Sequence, residues 1–534
     1  MTKHSKYHKK YTGFGDAYQL VLPLEMEGLI PEDDSVRLLS HELEGLDYGR
    51  LYKAYSLKGR NPAVDPKTMF KVMVYAYSQN IYSTRKIEQA CKRDINFMWL
   101  LSGQKAPDHS TIARFRSGIL TEACEELFYQ LIKKLRDNGE VSGETVFIDG
   151  TKIEASANKY TFVWKKSIGK WEEKMLTKIR TAAGLLNRDY MKSFEVREES
   201  RTRDLERICG YLEESCRERG TLFVSGKGKR KSREQRYLEL FRGFLDRQRA
   251  YDRHNENFKG RNNYCKTDPD ATFMHMKDDH MRNAQLKPGY NVQIGVDSEY
   301  IVATEIYQDR NDVWTLVPFL KTMKEKLSYR YPSVTADSGY ESEEGYEYLD
   351  SEGQKAYIKP QTYEQWKKRS FKRDISKREN MKYDEGSDTY TCHGGKRLRP
   401  IYIKKQKSKS GYRSEVTVYE CEDCKGCPYK DRCTKALGNK KLYVSKNFLD
   451  KRMSSYENIL SETGIRYRMN RSIQVEGAFG VLKNDYGFQR FLLRGKTKVK
   501  LEILLLCMGY NINKLHSKIQ GGRTQFHLFP VKAA

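Results

Sequence analysis

The sequence predicts an α/β protein, and the prediction depends on two short strands that each run into an aspartate. In "ETVFIDGTKIE" the apolar run 146–148 is followed by Asp149, and "SVTADSGY" delivers Asp337 in the same way. Between them, "GYNVQIGVDSEYIVATEIYQ" predicts a hairpin of two strands, and "VWTLVPFLKTMKEKLSY" predicts a helix. With a charged helical stretch at about 155–288 set aside, the order is strand, hairpin, helix, strand.

This order is that of a ribonuclease-H-like α/β core, in which the first and fourth strands lie side by side. Asp149 and Asp337 would then meet, although they are far apart in the chain. Taken alone, a strand-end aspartate is more often a turn former or a structural residue. Two adjacent carboxylates repel each other unless a divalent cation lies between them, so the pair predicts a metal site.

Composition and charge narrow the class of partner. The chain has 534 residues, with 98 Lys+Arg against 71 Asp+Glu and a formal net charge of +27. A chain of this length exceeds one compact core and is expected to divide into about two to four domains. The basic excess favours a nucleic-acid partner, although an AT-biased genome would enrich lysine in the same way.

Neither end of the sequence predicts targeting to a membrane. The basic start "MTKHSKYHKKYTGFGDAYQL" lacks the apolar core of a signal peptide, and "ILLLCM" is too short to span a bilayer. We therefore expect a cytoplasmic protein with no membrane partner, whose 11 Cys are reduced.

The first part of the chain has a helical pattern. Apolar residues in "PKTMFKVMVYAYSQN" recur at helical spacing, and the segments that follow carry basic residues. We predict an N-terminal helical DNA-binding domain over 1–120, with contacts from Arg85, Lys86, Arg114 and Arg116. The alternative is a helical packing domain with a solvated basic face.

A helical insertion is predicted at about 160–288. Leu205, Ile208 and Leu212 form one apolar stripe and Leu238 begins another, which together predict an antiparallel helical hairpin. The stretch between them, "SGKGKRKSREQR", is basic. Its predicted DNA contacts are Lys227, Lys229, Arg230 and Lys231, and the alternative is a solvated loop.

A third carboxylate is found in "RYRMNRSIQVEGAFGVLKNDYGFQRFLLRG". On a regular helix, Glu476 and Lys483 share one face, while Ile473 is expected to help anchor the helix to the sheet. Glu476 would complete the metal site begun by the two aspartates.

Together these motifs resemble those of the DDE transposases of bacterial insertion sequences. "FIDGTKIEASANKYTFVWKK", "KPGYNVQIGVD", "TADSGY" and "VEGAFGVLKNDYGFQRFLLRG" match one branch of that family in order, over about residues 29–515. The resemblance implies a catalytic triad of Asp149, Asp337 and Glu476, assisted by Lys483 and Arg471. The Tyr467–Arg471 and Arg471–Glu476 spacings are each one residue longer than the commonest Tyr-x2-Arg-x3-Glu form.

The resemblance also implies how the protein acts. It implies two Mg²⁺ or Mn²⁺ ions held by the triad, and double-stranded DNA partners that comprise terminal inverted repeats and target DNA. A homodimer or larger complex in the nucleoid would join two element ends. The catalytic core would comprise 121–360, interrupted by the helical insertion, and 466–534. Two alternatives are a catalytically inactive DNA-binding derivative and a nuclease that cuts without strand transfer.

A cysteine cluster marks a second insertion at 361–465. "CEDCKGCPYKDRC" supplies four thiols that suit structural Zn²⁺, namely Cys421, Cys424, Cys427 and Cys433. Cys392 lies upstream of them. An iron–sulfur cluster and unmetallated thiols in an irregular insert are the alternatives.

Overall fold

The computed structural model describes residues 26–55, 62–226, 230–276 and 285–531. Its N-terminal part is helical, as the sequence predicts. Asp65 caps the helix Pro66–Ser78 by accepting the backbone N–H of Thr68, and Pro66 occupies the first turn, where no amide donor is needed. The described helices of this part are α1 Met26–Leu29, α2 Ser35–Glu44, α3 Gly49–Lys53, α4 Pro66–Ser78, α5 Thr84–Arg93, α6 Ile95–Leu100, α7 His109–Ser117 and α8 Cys124–Asp137.

The helical insertion follows the first strand of the main sheet. It contains three long helices, so the predicted two-helix hairpin is wrong in number, because the stretch after residue 164 is itself a continuous helix. The three helices enclose a hydrophobic core of their own. The elements are β1 Thr145–Glu154, β2 Phe162–Trp164, α9 Lys165–Tyr190, α10 Arg201–Glu218, α11 Arg233–Phe258 and β3 Asn263–Cys265, and β2 pairs with β3 at the base of the insertion.

The main sheet has six strands and is mixed. Its further elements are β4 Thr272–His275, β5 Leu286–Asp297, β6 Tyr300–Tyr307, α12 Leu316–Leu327, β7 Ser333–Ala336, α13 Glu343–Ser351 and β8 Lys355–Ile358. The strand order is β6-β5-β1-β7-β8, and β4 pairs with the beginning of β5. β1 is antiparallel to β5 and parallel to β7, so the predicted adjacency of the first and fourth core strands is confirmed.

The second insertion is built on a five-stranded antiparallel sheet in the order β13-β12-β11-β10-β9. Its elements are α14 Tyr363–Trp366, α15 Arg369–Lys372, β9 Lys382–Asp384, β10 Thr389–Thr391, β11 Arg397–Lys407, β12 Arg413–Cys421, α16 Lys430–Cys433 and β13 Lys441–Val444. The next helix, α17 Lys446–Leu460, returns to the main sheet, where Ser455 Oγ accepts the N–H of Ile358 at 3.0 Å.

The C-terminal part is helical and alternates between α and π geometry. It comprises α18 Glu462–Arg471, a π-helical segment Ser472–Glu476, α19 Gly477–Gly480, a second π-helical segment Val481–Asp485, and α20 Lys496–Gln520. Helix α20 is apolar on nearly every side in its middle third and is buried there. None of the helices in the described ranges is long and apolar enough to cross a membrane.

Helix α20 joins the N-terminal helices to the main sheet. It packs against α4 and α8 on one side and β6 on the other, so one continuous hydrophobic cluster includes both parts. The contact with α4 is close: a Cβ at Gly509 would lie 2.8 Å from the backbone nitrogen of Ser78. Only glycine fits this crossing without displacing one helix.

Candidate active site

Two neighbouring strands place two aspartates at the same level of the main sheet. The parallel register of β1 and β7 pairs Ile148 with Ala336, and the next residues are Asp149 and Asp337. Strand β1 continues to Glu154, so Asp149 lies within the strand and not at its end as predicted, because β5 pairs with β1 on the other side along this whole length. The predicted meeting of the two aspartates is therefore supported by backbone pairing alone.

The two aspartates differ in environment. Asp149 is 8% exposed within the sheet. Asp337 is half-buried in the turn after β7, where its Oδ1 accepts the N–H of Gly339 at 2.7 Å. This bond caps the short 3-10 turn Ser338–Tyr340 and fixes the direction of the carboxylate.

Arg471 connects Asp149 to Glu476. Its Nη2 lies 3.0 Å from Glu476 Oε1, and its Nη1 lies 3.7 Å from Asp149 Oδ2. Ser472 Oγ also donates to Glu476 Oε2 at 3.1 Å. The guanidinium of Arg471 therefore lies between the third predicted carboxylate, Glu476, and the first, Asp149, although more than half of the chain separates these two residues.

The π-helical geometry explains the unusual spacing of this motif. A π turn closes after five residues and not four, so residues at i and i+5 face the same way. Arg471 and Glu476 have this separation, and the π-helical segment Ser472–Glu476 brings them together. Tyr467, one α-helical turn earlier, packs its ring edge-on against Phe147 and Tyr357 below the sheet surface.

The same geometry changes which residues face the core. Ile473, the predicted anchor, is 43% exposed, whereas Gln474 and Val475 are buried. A regular helical repeat counted from the sequence places the wrong residue inward once a π turn intervenes. Lys483 lies half-buried in the second π-helical segment.

A fourth carboxylate, Asp312, lies in the same site and was not predicted. Its Oδ1 accepts hydrogen bonds from Asn291 Nδ2 at 2.8 Å and Gln293 Nε2 at 2.9 Å, both on β5. A Cβ at Gly150 would lie 3.0 Å from Asp312 Oδ1. Asp312 follows β6 and begins the short 3-10 helix Asp312–Trp314, which no strand or helix pattern in the sequence marks.

Tyr340 lies beneath these carboxylates and is completely buried. Its hydroxyl donates to Gln293 Oε1, so Gln293 connects it to Asp312. Burial first, and then the negative charges of Asp312, Asp149 and Asp337, raise the pKa of Tyr340 well above its usual value. The side chain therefore remains a neutral hydrogen-bond donor that holds the floor of the site.

The donor set fits a hard divalent cation by its chemistry, since it consists of carboxylate oxygens. As placed, however, no group of three or more His, Cys, Asp or Glu in the described ranges is arranged to hold a metal ion. Glu476 is occupied by Arg471 and Ser472, and its side chain is 53% exposed. A metal site would require this side chain to turn from Arg471 toward the aspartates.

The cysteine cluster surrounds one small cavity in the second insertion. The cavity has a volume of about 20 Å³ and is lined by five thiols, namely Cys392, Cys421, Cys424, Cys427 and Cys433. Lys440 N donates to Cys424 Sγ at 3.4 Å. Burial, and then the contact with Cys424, raise the pKa of Cys421 to about 12. Cys392 thus lines the same cavity as the four predicted cysteines. The five thiols are not arranged as a metal-binding group in the described part of the chain.

The predicted DNA contacts separate into three groups. Arg85, Lys86, Arg114 and Arg230 are exposed, and half-buried Lys231 pairs with Glu239 at 2.6 Å. Lys227 and Lys229 lie outside the described residues. Arg116 is only 6% exposed and donates to the carbonyl of Tyr82 at 2.6 Å, so its prediction as a DNA contact is wrong. It lies on the inner face of α7 and stabilises the core.

Two protein families match the chain. Residues 391–516 match the family described as Transposase DDE domain, and residues 24–118 match the family described as Transposase domain (DUF772). Both matched families are transposase families, which supports the resemblance to DDE transposases. No curated protein and no solved structure matches it significantly.

The two matches cover different parts of the chain. The first includes Arg471, Glu476 and Lys483 together with the cysteine cluster, and the second includes most of the N-terminal helices. Asp149, Asp312 and Asp337 lie between the two matched segments. Their place in the site depends on the sheet register and on the contacts described above.

Proposed function

We propose that the protein is a DDE transposase that binds the terminal inverted repeats of its element, cuts DNA there and joins the freed ends to target DNA. Asp149, Asp337 and Glu476 would be the catalytic carboxylates. The observation that carries this proposal is the contact of Arg471 with both Asp149 and Glu476, which brings residues from distant parts of the chain to one point.

The strand order supports the same proposal. The order β6-β5-β1-β7-β8, with only the hairpin strand β5 antiparallel to β1, is that of a ribonuclease-H-like core. In this arrangement Asp149 lies on β1 and Asp337 directly follows β7, while the π-helical segment that ends at Glu476 packs against β1 and β5. A long, stiff DNA substrate could reach a site of this kind without entering a closed cavity.

Mg²⁺ or Mn²⁺ ions held by the three carboxylates would stabilise the charge that develops on the attacking and leaving oxygens of a phosphodiester. Asp312, held by two amides, would add a fourth oxygen donor near the site. Water would first attack the phosphodiester at the element end and release a 3′-OH. That 3′-OH would then attack a target phosphodiester and form the new bond as the target 3′ oxygen leaves.

Arg471 would contribute directly to substrate binding. Its Nη1 is buried and has no hydrogen-bond partner among the described residues, although it lies beside Asp149. A guanidinium N–H that is left without an acceptor in a buried position is costly, and a phosphate oxygen would satisfy it. Lys483 is proposed to stabilise the same stretch of phosphates.

A cleavage assay on the DNA that flanks this gene tests the proposal. Purified protein is incubated with each flank and Mg²⁺ or Mn²⁺, beside Glu476→Gln and the matched control Glu462→Gln at the start of the same helix. We expect nicks with 3′-OH ends and joined products for the wild type and the control only. Cutting without joining would favour a nuclease, and tight binding without metal-dependent cutting would favour an inactive DNA-binding derivative.

A further inference from the structure

The second insertion contains a two-stranded ribbon that extends beyond its sheet. β11 and β12 pair from Tyr402 with Val418 to Lys407 with Arg413. Their other neighbours are short: β13 pairs with β12 only at 417–420, and β10 pairs with β11 only at 397–398. From Lys404 onward the two strands are thus paired only with each other in the described part of the chain.

The ribbon is exposed to an unusual degree. All seven residues 401–407 of β11 are exposed. They include Ile401, Tyr402 and Ile403, which are 46%, 50% and 60% exposed. Because successive side chains of a strand point to opposite faces, both faces of the ribbon expose apolar side chains that a partner could cover.

The ribbon is also strongly basic. Five basic residues and one acidic residue lie within 401–416: Lys404, Lys405, Lys407, Lys409, Arg413 and Glu415. Glu415 pairs with Lys405 at 3.7 Å, but both side chains are largely exposed, so the pair contributes little. Among the described residues the other four basic side chains form no ion pair. The free positive charge therefore remains available to an anionic partner.

One cross-strand pair of like charges also favours an anionic partner. Lys407 and Arg413 face each other in the ladder, and like charges at directly opposed positions of a sheet are destabilising. A polyanion lying against this face would remove the repulsion. An antiparallel ribbon is also one of the two elements that the major groove of duplex DNA admits.

The tip of the ribbon is fastened to the main body near the carboxylates. Tyr412 Oη donates to Glu343 Oε1 at 3.3 Å, and Ser410 Oγ donates to Glu344 Oε2. Both glutamates lie in the first turn of α13, which follows the turn that carries Asp337. The tip of the ribbon is thus attached to the helix that follows Asp337 in the chain.

We propose that the ribbon formed by residues 402–418 contacts duplex DNA next to the point of cleavage and holds it against the carboxylates. The inference rests on the proposed function, because it assumes that DNA is the substrate. Lys404, Lys407 and Arg413 would neutralise phosphates, while Tyr402 and Ile403 would contact the apolar parts of the groove.

Neutralising the ribbon tests the proposal. In Lys404→Gln/Lys407→Gln/Arg413→Gln three positive charges are removed from exposed positions. The control Lys53→Gln/Lys133→Gln/Lys321→Gln removes three exposed charges from α3, α8 and α12. Binding of flanking duplex is measured by fluorescence anisotropy over a range of salt concentrations, and circular dichroism checks that both variants fold.

For the ribbon variant we expect a loss of affinity of at least about tenfold and a salt slope reduced by about 2–3, since each phosphate contact contributes about 0.9 to the slope. The control variant should retain the affinity and the salt slope of the wild-type protein. Equal effects of the two triple variants would overturn the proposal, because the ribbon would then act only through net charge.

Hydrogen exchange on the wild-type protein gives a second test that needs no variant. The amides of 402–418 should be protected when flanking duplex binds, and unchanged exchange there would rule out the contact. Failure of the ribbon and failure of the proposed function are distinguishable. If the wild-type protein cuts DNA but the ribbon variant binds DNA normally and the ribbon amides are not protected, only the ribbon proposal is contradicted. If binding depends on the ribbon but no metal-dependent cut is found, only the proposed cleavage chemistry is contradicted.

Discussion

Arg471 and Glu476 are ion-paired across a π-helical turn, with Nη2 3.0 Å from Oε1. The pair places a positive charge between Glu476 and Asp149. This charge offsets the repulsion expected among the carboxylates when no cation is bound.

Replacing Arg471 should therefore reduce catalysis more than DNA binding. For Arg471→Gln we expect cleavage to fall about 100-fold or more, the range found when one donor to a transition-state oxyanion is removed. Single-turnover cleavage rates and binding isotherms on the same flanking duplex measure the two effects. Arg466→Gln, an exposed position on the same helix, is the control and should change neither strongly. Equal losses of cleavage in Arg471→Gln and Arg466→Gln would show that the effect comes from removing one positive charge and not from the position of Arg471 between the carboxylates.

Divalent cations should stabilise the wild-type protein against heat. A ligand present at about 100 times its Kd stabilises the folded state by about 2.7 kcal/mol. Differential scanning fluorimetry with Mg²⁺, Mn²⁺ or EDTA should show this shift, and Asp337→Asn should lose most of it. Asp350→Asn, on the exposed side of α13, should keep the full shift. A shift of the same size in both variants would place the cation elsewhere.

Gly150 should not tolerate a side chain. A Cβ there would lie 2.2 Å from Gln293 Nε2 and displace the amide that holds Asp312. Overpacking of this kind costs about 1–3 kcal/mol, so Gly150→Ala should unfold at lower denaturant concentration and cut DNA poorly. Gly184→Ala in α9 is a matched control, since a Cβ there meets no atom of the described residues within 4 Å and alanine favours a helix. Unchanged stability of Gly150→Ala would mean that the space between Gly150 and Gln293 can accommodate a methyl group.

Arg116 should behave as a core residue. Arg116→Gln removes a charge-assisted bond to the Tyr82 carbonyl, which is worth about 1.5–3 kcal/mol. Chemical denaturation should show that loss, while the affinity of the folded protein for DNA stays the same. Arg85→Gln/Lys86→Gln should show the opposite pattern if α5 contacts DNA. Reduced affinity without reduced stability in Arg116→Gln would restore it as a DNA contact.

The cysteine cluster should bind about one zinc per chain if the thiols serve as a tetrahedral site. Elemental analysis of the purified protein measures this content directly. Cys424→Ser should lower it, while Cys209→Ala in the helical insertion should not, since Cys209 lies in a separate core. Iron with visible absorbance would indicate an iron–sulfur cluster, and metal-free protein with full stability would show that the thiols act only in packing.

The strands that place Asp149 and Asp337 next to each other could be predicted from the sequence. Asp149 and Asp337 follow β-rich runs, and the order of strands fixes their adjacency. Asp312 could not be found in this way, because it lies at the start of a single 3-10 turn and is held there by two amides from another strand. Ile473 was misplaced because a π turn shifts the inward face, and Arg116 because an amphipathic repeat does not reveal a buried guanidinium.

The close crossing of α20 with α4 has a geometric consequence. Because the N-terminal helices and the main sheet share one hydrophobic core, a rigid separation is set between α5 and the carboxylates. If α5 reads the element end, the number of base pairs between the bound sequence and the cut is determined by the length and packing of α20. A residue bulkier than glycine at position 509 would then move the cut relative to the bound sequence before it impaired the cleavage reaction itself.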